Sequence, residues 1–366
     1  MHVSFYSLGC MFEQMFNNIL THYGLNPDHY NIQPVGNGLI NHTWTISNAA
    51  QEPCFILQQI NTAVFKQPEN IALNISNIGA YLKNHYPDYL FAGTLPTVSG
   101  NDLYIDDKSR YFRLFPFIPK SHTAVVLHTP EQAFEAARQF ALFTRLLSGF
   151  DTRLLKITIP QFHDLPLRYR QFSEALAKGN VQRIQACGPL ITYLQLQQNI
   201  VQVYESVKKD PGFPVRVIHH DTKISNVLFD DAGKGLCVID LDTVMPGYFI
   251  SDVGDMMRTY LSPANEEEKD FDKIQVRDDF FEAIGKGYIG ELKNELTETE
   301  KAHFVYAGQF MIYMQALRFL ADHLNNDVYY GARYEGHNLV RAQNQVVLLQ
   351  KYMEKSALFH QIISTI

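Results

Sequence analysis

Apolar positions change their rhythm along the chain. Residues 10–23 carry them at helical spacing, which predicts a short amphipathic helix. From residue 30 to about 117 the apolar runs are short, aromatic and β-branched, and residues 43–47, 54–59, 103–105 and 111–117 are expected to be strands. Helical spacing over residues 69–85 interrupts them. Beyond Pro119 the helical period takes over. Thr129, Pro130 and Gln132 form a helix start: a hydroxyl cap, a proline where no N–H is needed, and an amide able to reach back to the cap. That helix is expected to run to about Leu147, with others at 167–177 and 190–208. Thr297 with Glu300 is a second capping box, expected to open one long helix through Leu324. The pattern predicts an α+β chain with a small β-rich N-terminal lobe over residues 1–117 and a larger helical lobe over 118–366. Pro116 and Pro119 mark the joint.

Composition narrows the class. Of 366 residues, 46% are hydrophobic and 19% charged, enough apolar surface for two packed units. The net charge of -7, with both signs mixed, lacks the basic stripe that a nucleic-acid partner needs. No apolar run reaches the ~18 residues that span a bilayer. Cys10, Cys54, Cys187 and Cys237 are far apart, so neither a disulfide framework nor a zinc site is expected. With no basic-then-apolar leader at the N-terminus, a cytoplasmic location is expected. Nothing in the sequence sets an oligomeric state.

The chemistry concentrates in residues 215–258. A short buried strand at 215–218 leads into His219, His220, Asp221, Lys223 and Asn226. Apolar runs at 227–229 and 236–239 flank a turn-forming stretch, 230–235, so a hairpin centred near Gly233 is expected. Asn226 and Asp240 each lie seven residues from Gly233, and antiparallel pairing would set them side by side. An amide oxygen and a carboxylate are hard ligands that suit Mg2+, which binds through few protein groups and the phosphates of its nucleotide. Asp221, just outside the ladder, is placed to accept a proton from an attacking hydroxyl. Lys223 would face the transferring phosphoryl group. Each residue alone is also an ordinary turn residue. The ordered set of acid, lysine, amide and second acid points to catalysis.

The run HHDTKISNVLFDDAGKGLCVIDLDTVMPG resembles the catalytic region of the aminoglycoside phosphotransferase and choline kinase superfamily. Within it the run is similar to the bacterial N-acetylhexosamine 1-kinases. GNGLINHTW, FILQQINTAVF, ITIPQFHDLP, RFLADHLNNDVYY and HNLVRAQNQ extend the likeness over most of the chain. The resemblance implies a bilobal protein-kinase-like fold and an ATP-dependent kinase whose acceptor is the anomeric hydroxyl of an N-acetylhexosamine. An aminoglycoside, choline or another hexose is the alternative acceptor. It assigns Asp221 as base and Asn226 and Asp240 as Mg2+ ligands. Asp242 becomes either a second-ion ligand or a helper bonding the loop. Asp252 braces the catalytic loop, as does His219.

For the nucleotide, Gly36, Asn37 and Gly38 would lie over the phosphates, with Asn41 and Thr43 as further contacts. Phe115, Phe117 and Ile118 would pass the adenine. Gln58 stands where such kinases usually carry a lysine, and it is the one feature favouring a non-catalytic binder. For the acceptor the resemblance names Arg318 and Tyr329 beside Asp221. Asp255, Arg258, His337, Asn338 and Arg341 are weaker candidates. Glu266, Glu267 and Glu268 are the kind of acidic run an aminoglycoside would need, although such runs are usually just solvated.

Overall fold

The computed structural model describes residues 5–35 and 40–366, the side chains of 5–12 excepted. Gly36, Asn37 and Gly38 therefore lie outside the described residues. The chain forms two compact units. The first gathers the described residues of Met1–Ser121 with Phe150–Ile159 and Ile239–Met245. The second gathers His122–Gly149, Pro160–Val238 and Pro246–Ile366.

The first unit holds α1 (Phe5–His22), β1 (Asn31–Pro34), β2 (His42–Ser47), β3 (Pro53–Ile60), α2 (Pro68–His85), β4 (Tyr104–Ile105) and β5 (Tyr111–Pro116). Its strands form one antiparallel sheet in the order β1-β2-β3-β5-β4. Alternation sends Ile46, Leu57, Phe112 and Leu114 to one face, where they pack with Ile19 and Leu20 of α1 and with Tyr23. The Tyr23 hydroxyl donates to the Phe112 carbonyl at 3.1 Å, so the polar atom that Tyr23 brings into that core has an acceptor. Strand β1 is short, mostly exposed and ends in a proline, which is why its pattern carries no strand signal.

On another row of the same sheet, Thr43, Gln58 and Arg113 stand side by side across β2, β3 and β5. The fully buried Asn74 of α2 ties in the two later segments. Its amide donates to the carbonyls of Lys156 (2.8 Å) and Val244 (3.0 Å), and its oxygen accepts from the Lys156 N–H at 2.7 Å.

The second unit continues with β6 (His122–Thr123), α3 (Pro130–Leu146), α4 (Leu165–Lys178), α5 (Val181–Ala186), α6 (Gly188–Leu196) and α7 (Asn199–Val207). There follow β7 (Arg216–Ile218), β8 (Val227–Phe229), β9 (Gly235–Val238), α8 (Ile250–Tyr260), α9 (Asp278–Glu291), α10 (Glu298–Ala302), α11 (Phe304–Leu324), α12 (His337–Glu354) and α13 (Ser356–Ser364). Both expected capping boxes are formed, at Thr129/Gln132 and Thr297/Glu300.

Two expected helices are each broken in two. Residues 190–208 divide between α6 and α7, where Gln197 and Gln198 bond the carbonyls three residues back and tighten the turn. The helix after Thr297 stops at Ala302. His303 leaves helical geometry with its ring nitrogen on the Thr299 carbonyl, and α11 starts afresh at Phe304.

α11 is the axis of this unit, packed by α4, α8 and α12. Close approach of α8 depends on Gly254: a Cβ there would lie 2.4 Å from the Ala307 carbonyl oxygen of α11. Because that obstacle is backbone, Gly254→Ala is expected to lower stability by about 1–3 kcal/mol through overpacking. Chemical denaturation of the variant checks this, and an unchanged midpoint would show that the helices part without cost.

Candidate functional site

The loop that carries Asp221 leaves β7 at Ile218 and turns sharply. His220 takes a left-handed backbone (φ +67°), which a non-glycine residue adopts only at a cost of about 1–2 kcal/mol. The turn is held by α8. Asp252, fully buried near its start, accepts the backbone N–H groups of His219 (3.1 Å) and His220 (2.7 Å). Asp255, one helical turn on, accepts the Thr222 N–H at 2.9 Å, and the Thr222 hydroxyl donates to the Asp252 carbonyl. Tyr260 closes the frame by donating to the Thr222 carbonyl. Burial drives the Asp252 carboxyl up to about 7 against the two N–H donors that favour its charged form, with the charges of Asp255 and Asp221 adding to the rise.

This frame presents Asp221. Its Oδ2 accepts from Lys223 Nζ at 2.8 Å and from Asn226 Nδ2 at 3.0 Å, and its carbonyl oxygen accepts from the same amide at 2.9 Å. Burial pushes the Asp221 carboxyl up. The Lys223 charge and hydrogen bond, the His219 charge and the Asn226 amide outweigh it, so the group sits below the ordinary carboxylate range. Three of the expected site residues are thus in direct contact. Asn226 donates its amide nitrogen to Asp221, so its amide oxygen takes no part in that contact.

The hairpin forms as expected, with Gly233 left-handed (φ +77°) and its N–H on the Asp230 carbonyl. Its register differs from the expected one. Val227 pairs with Val238, and the ladder slips between Leu228 and Phe229, where Phe229 meets Gly235. Asn226 therefore precedes the ladder by one residue and Asp240 follows it by two. An irregularity in the strand absorbs the residue that simple counting from Gly233 leaves in place.

Asp240 belongs to the first unit, as does the turn it starts. It is left-handed (φ +61°, ψ 60°), and a single 3-10 turn, Leu241–Thr243, follows. Asp242 is buried with both oxygens engaged by protein groups. Oδ1 lies 2.5 Å from Arg113 Nη2, and Oδ2 accepts from Asn41 Nδ2 at 2.7 Å. Asn41 is thereby committed, its own oxygen accepting the Asn61 N–H at 3.0 Å. Gln58 accepts from Arg113 Nε (3.1 Å) and Nη2 (2.8 Å) and donates to the Thr43 hydroxyl at 3.2 Å. Sequence reading singled out Gln58 and missed Arg113, whose signal was a lone charge inside an apolar strand. Phe115, Phe117 and Ile118 are half-buried, and the Phe117 N–H extends the β3–β5 pairing by bonding the Cys54 carbonyl at 2.9 Å.

The acceptor candidates lie in the second unit. Arg318 donates to Gln315 at 3.2 Å and stands 5.4 Å from the Tyr330 ring centre. Asp322, a possible partner for Arg318 by spacing, instead accepts the backbone N–H groups of Tyr329 (2.7 Å) and Tyr330 (2.9 Å) and the Asn338 amide (3.1 Å). It shapes the loop that leaves the Tyr329 side chain exposed.

Glu266 is not a solvated member of an acidic run. It accepts from Arg258 at 2.9 Å and from Arg341, and Arg258 in turn grips Asp255 at 2.9 Å. Burial raises the Glu266 carboxyl, but the Arg258 and Arg341 charges hold it below its ordinary range. His337 lies 3.4 Å from Glu267. Nothing local marks Glu266 out among its neighbours.

Comparison with known proteins bears on this arrangement. A family model described as "Phosphotransferase enzyme family" matches residues 31–288, well over half of the chain. A microcompartment-associated aminopropanol kinase superposes with a TM-score of 0.65 at 17% identity, covering 94% of this chain and 98% of that one. The amicoumacin kinase hAmiN, solved with AMP-PNP, Ca2+ and Ami, gives 0.63 at 14% identity, covering 93% of each chain. Choline kinase from Cryptosporidium parvum Iowa II gives 0.57 at 12%, covering 96% and 98%. At these identities the likeness is one of fold, the α+β protein-kinase-like fold with a small antiparallel sheet and a larger helical part.

Proposed function

The chain belongs to the phosphotransferase enzyme family, and from that premise we propose that it transfers the γ-phosphoryl group of ATP to the anomeric hydroxyl of an N-acetylhexosamine. The observation that carries the reading is the Asp221 carboxylate held through one oxygen by Lys223 and Asn226 on a braced loop. In the reaction the acceptor oxygen forms a bond to the γ-phosphorus while the bond from that phosphorus to the β–γ bridging oxygen breaks, releasing ADP. Asp221 Oδ1 takes the hydroxyl proton.

A carboxylate below its ordinary range is a weak base, so Asp221 orients the hydroxyl first and receives the proton late. That order suits a loose phosphoryl-transfer transition state. Lys223 offsets charge on the transferring group. The Asn226 amide oxygen and the Asp240 carboxylate would be the groups that hold Mg2+. Their donor set, one amide and one acid, fits an ion that keeps phosphates and waters for its remaining positions. Bound there, Mg2+ supplies charge neutralisation for the nucleotide phosphates. Phe115, Phe117 and Ile118 receive the adenine.

The sugar assignment rests on the likeness of the flanking segments to N-acetylhexosamine 1-kinases and on Arg318 and Tyr329. A guanidinium and an aromatic edge suit an uncharged, hydroxyl-rich ring. The structural neighbours named above are kinases of aminopropanol, amicoumacin and choline, so the acceptor is the open variable. A panel of N-acetylhexosamines, hexoses, aminoglycosides and choline, with ATP and Mg2+, separates the choices. The expected product is a sugar 1-phosphate, identified by phosphorus NMR, with kcat/KM about 100-fold or more above that for choline. Preference for an amine-bearing acceptor would overturn the sugar assignment. ATP binding with no phosphorylated product on any acceptor would overturn the phosphotransferase reading.

A further inference from the structure

We propose that Arg113, clamped by Gln58, is a positioning residue for the metal site, fixing Asp240 through Asp242. The inference rests on the phosphotransferase reading, which makes Asp240 a Mg2+ ligand, and it gives a task to the glutamine that stands in the usual lysine position.

The geometry lies wholly within the first unit. Gln58 and Arg113 are cross-strand partners on β3 and β5, and the Gln58 oxygen accepts two hydrogen bonds from one guanidinium. That fork sets the guanidinium plane, and Nη2 forms an ion pair with Asp242 Oδ1, 2.5 Å away, without hydrogen-bond alignment. Thr43 completes the row by accepting from the Gln58 amide, so the clamp is held from its far side as well.

Asp242 lies two residues after Asp240, inside the 3-10 turn that follows it directly. Asn41 takes the second Asp242 oxygen, and Asn74 takes the Val244 carbonyl. The turn is thus pinned at Asp242 from β5 and from Asn41, and at Val244 from α2. Asp240 itself is left-handed, a state that persists in a non-glycine residue where the surroundings over-determine it.

Burial separates positioning from direct nucleotide contact: the Arg113 side chain is only 1% exposed. A guanidinium sealed in this way offers a phosphate no face. A lysine in place of Gln58 would set a second cation against Arg113 and remove the acceptor that holds it. The amide therefore matches its neighbour, and its presence does not signal a lost catalytic group.

The test compares Arg113→Met with the native protein by two affinities: Mn2+ in the presence of ADP, read by electron paramagnetic resonance, and ADP alone in EDTA, read by calorimetry. Partners of metal ligands typically contribute ~10–100-fold to metal affinity. The expected result is Mn2+ binding weakened at least tenfold with metal-free ADP binding changed less than threefold. Arg113→Met leaves Asp242 without its partner, so Arg113→Lys, which keeps the charge but not the fork, is used if the first variant does not fold. A Mn2+ change below tenfold in the folded variant overturns the proposal. So does a loss of metal-free ADP binding of threefold or more, which would mean direct phosphate contact or a general collapse. Native protein that binds no Mn2+ with ADP would overturn the phosphotransferase reading itself, and this inference with it.

Discussion

Asp221→Asn is expected to lower kcat by about 10²–10⁴-fold while ATP affinity stays within a few-fold of native. The substitution keeps the shape of the side chain and an oxygen that can accept from Lys223 and Asn226, so the loop has no reason to move. What disappears is the negative charge to which the proposed reaction gives the alignment of the acceptor hydroxyl and the receipt of its proton. The bracing contacts of Asp252 and Asp255 are made to backbone groups of residues 219, 220 and 222, and the exchange does not touch them. Steady-state rates on the preferred acceptor, with calorimetric ATP binding on the same preparation, check both halves. Turnover within tenfold of native would remove Asp221 from the chemistry, and loss of ATP binding would show that the loop had been disturbed.

The largest expected effect on stability is at Glu300. Its carboxylate accepts from Arg216 at 2.9 and 2.8 Å, and one of its oxygens also takes the Thr297 N–H at 2.9 Å as the reciprocal half of the capping box. Side-chain exposure is 10% for Arg216 and 1% for Glu300, so neither charge has water to fall back on. Glu300→Ala leaves a buried guanidinium unpaired and a helix cap half-made, and should cost about 3–5 kcal/mol. Denaturation midpoints followed through the helical signal report it. A loss below about 1 kcal/mol would show that the buried pair contributes no net stability. A joint Arg216→Met and Glu300→Leu variant removes both charges together and should recover much of the loss, because paired burial itself carries a desolvation cost.

Glu300 shows where reading along the chain stops. Its spacing from Thr297 marked it as a cap, a relation completed within one helical turn. Its bond to Arg216, on β7, was invisible. His303 shows a different limit. The capping box and the apolar period both argued for one continuous helix, and His303, its ring on the Thr299 carbonyl, leaves helical geometry between the two segments. The hairpin was legible as an element, from two apolar runs around a turn-forming stretch. Its register was not, because a strand irregularity shifts pairing by one residue without leaving a mark in the letters.

By itself the sequence determined the features whose physics closes over a few residues: capped helix starts, the Gly233 turn, the apolar strands, and the order of Asp221, Lys223, Asn226 and Asp240. Asp221, Lys223 and Asn226 come into contact within one short loop, whose shape α8 then holds. Only the tertiary structure decided which buried charge meets which. Asn41 and Asp242 are 201 residues apart, and Arg113 reaches the same carboxylate from another strand. Glu266 takes two arginines while Glu267 and Glu268 beside it do not share them. Taking a charge out of water demands a partner, and this much can be read from one residue in an apolar run. Which partner it finds depends on where distant segments come to lie, and no local pattern encodes that.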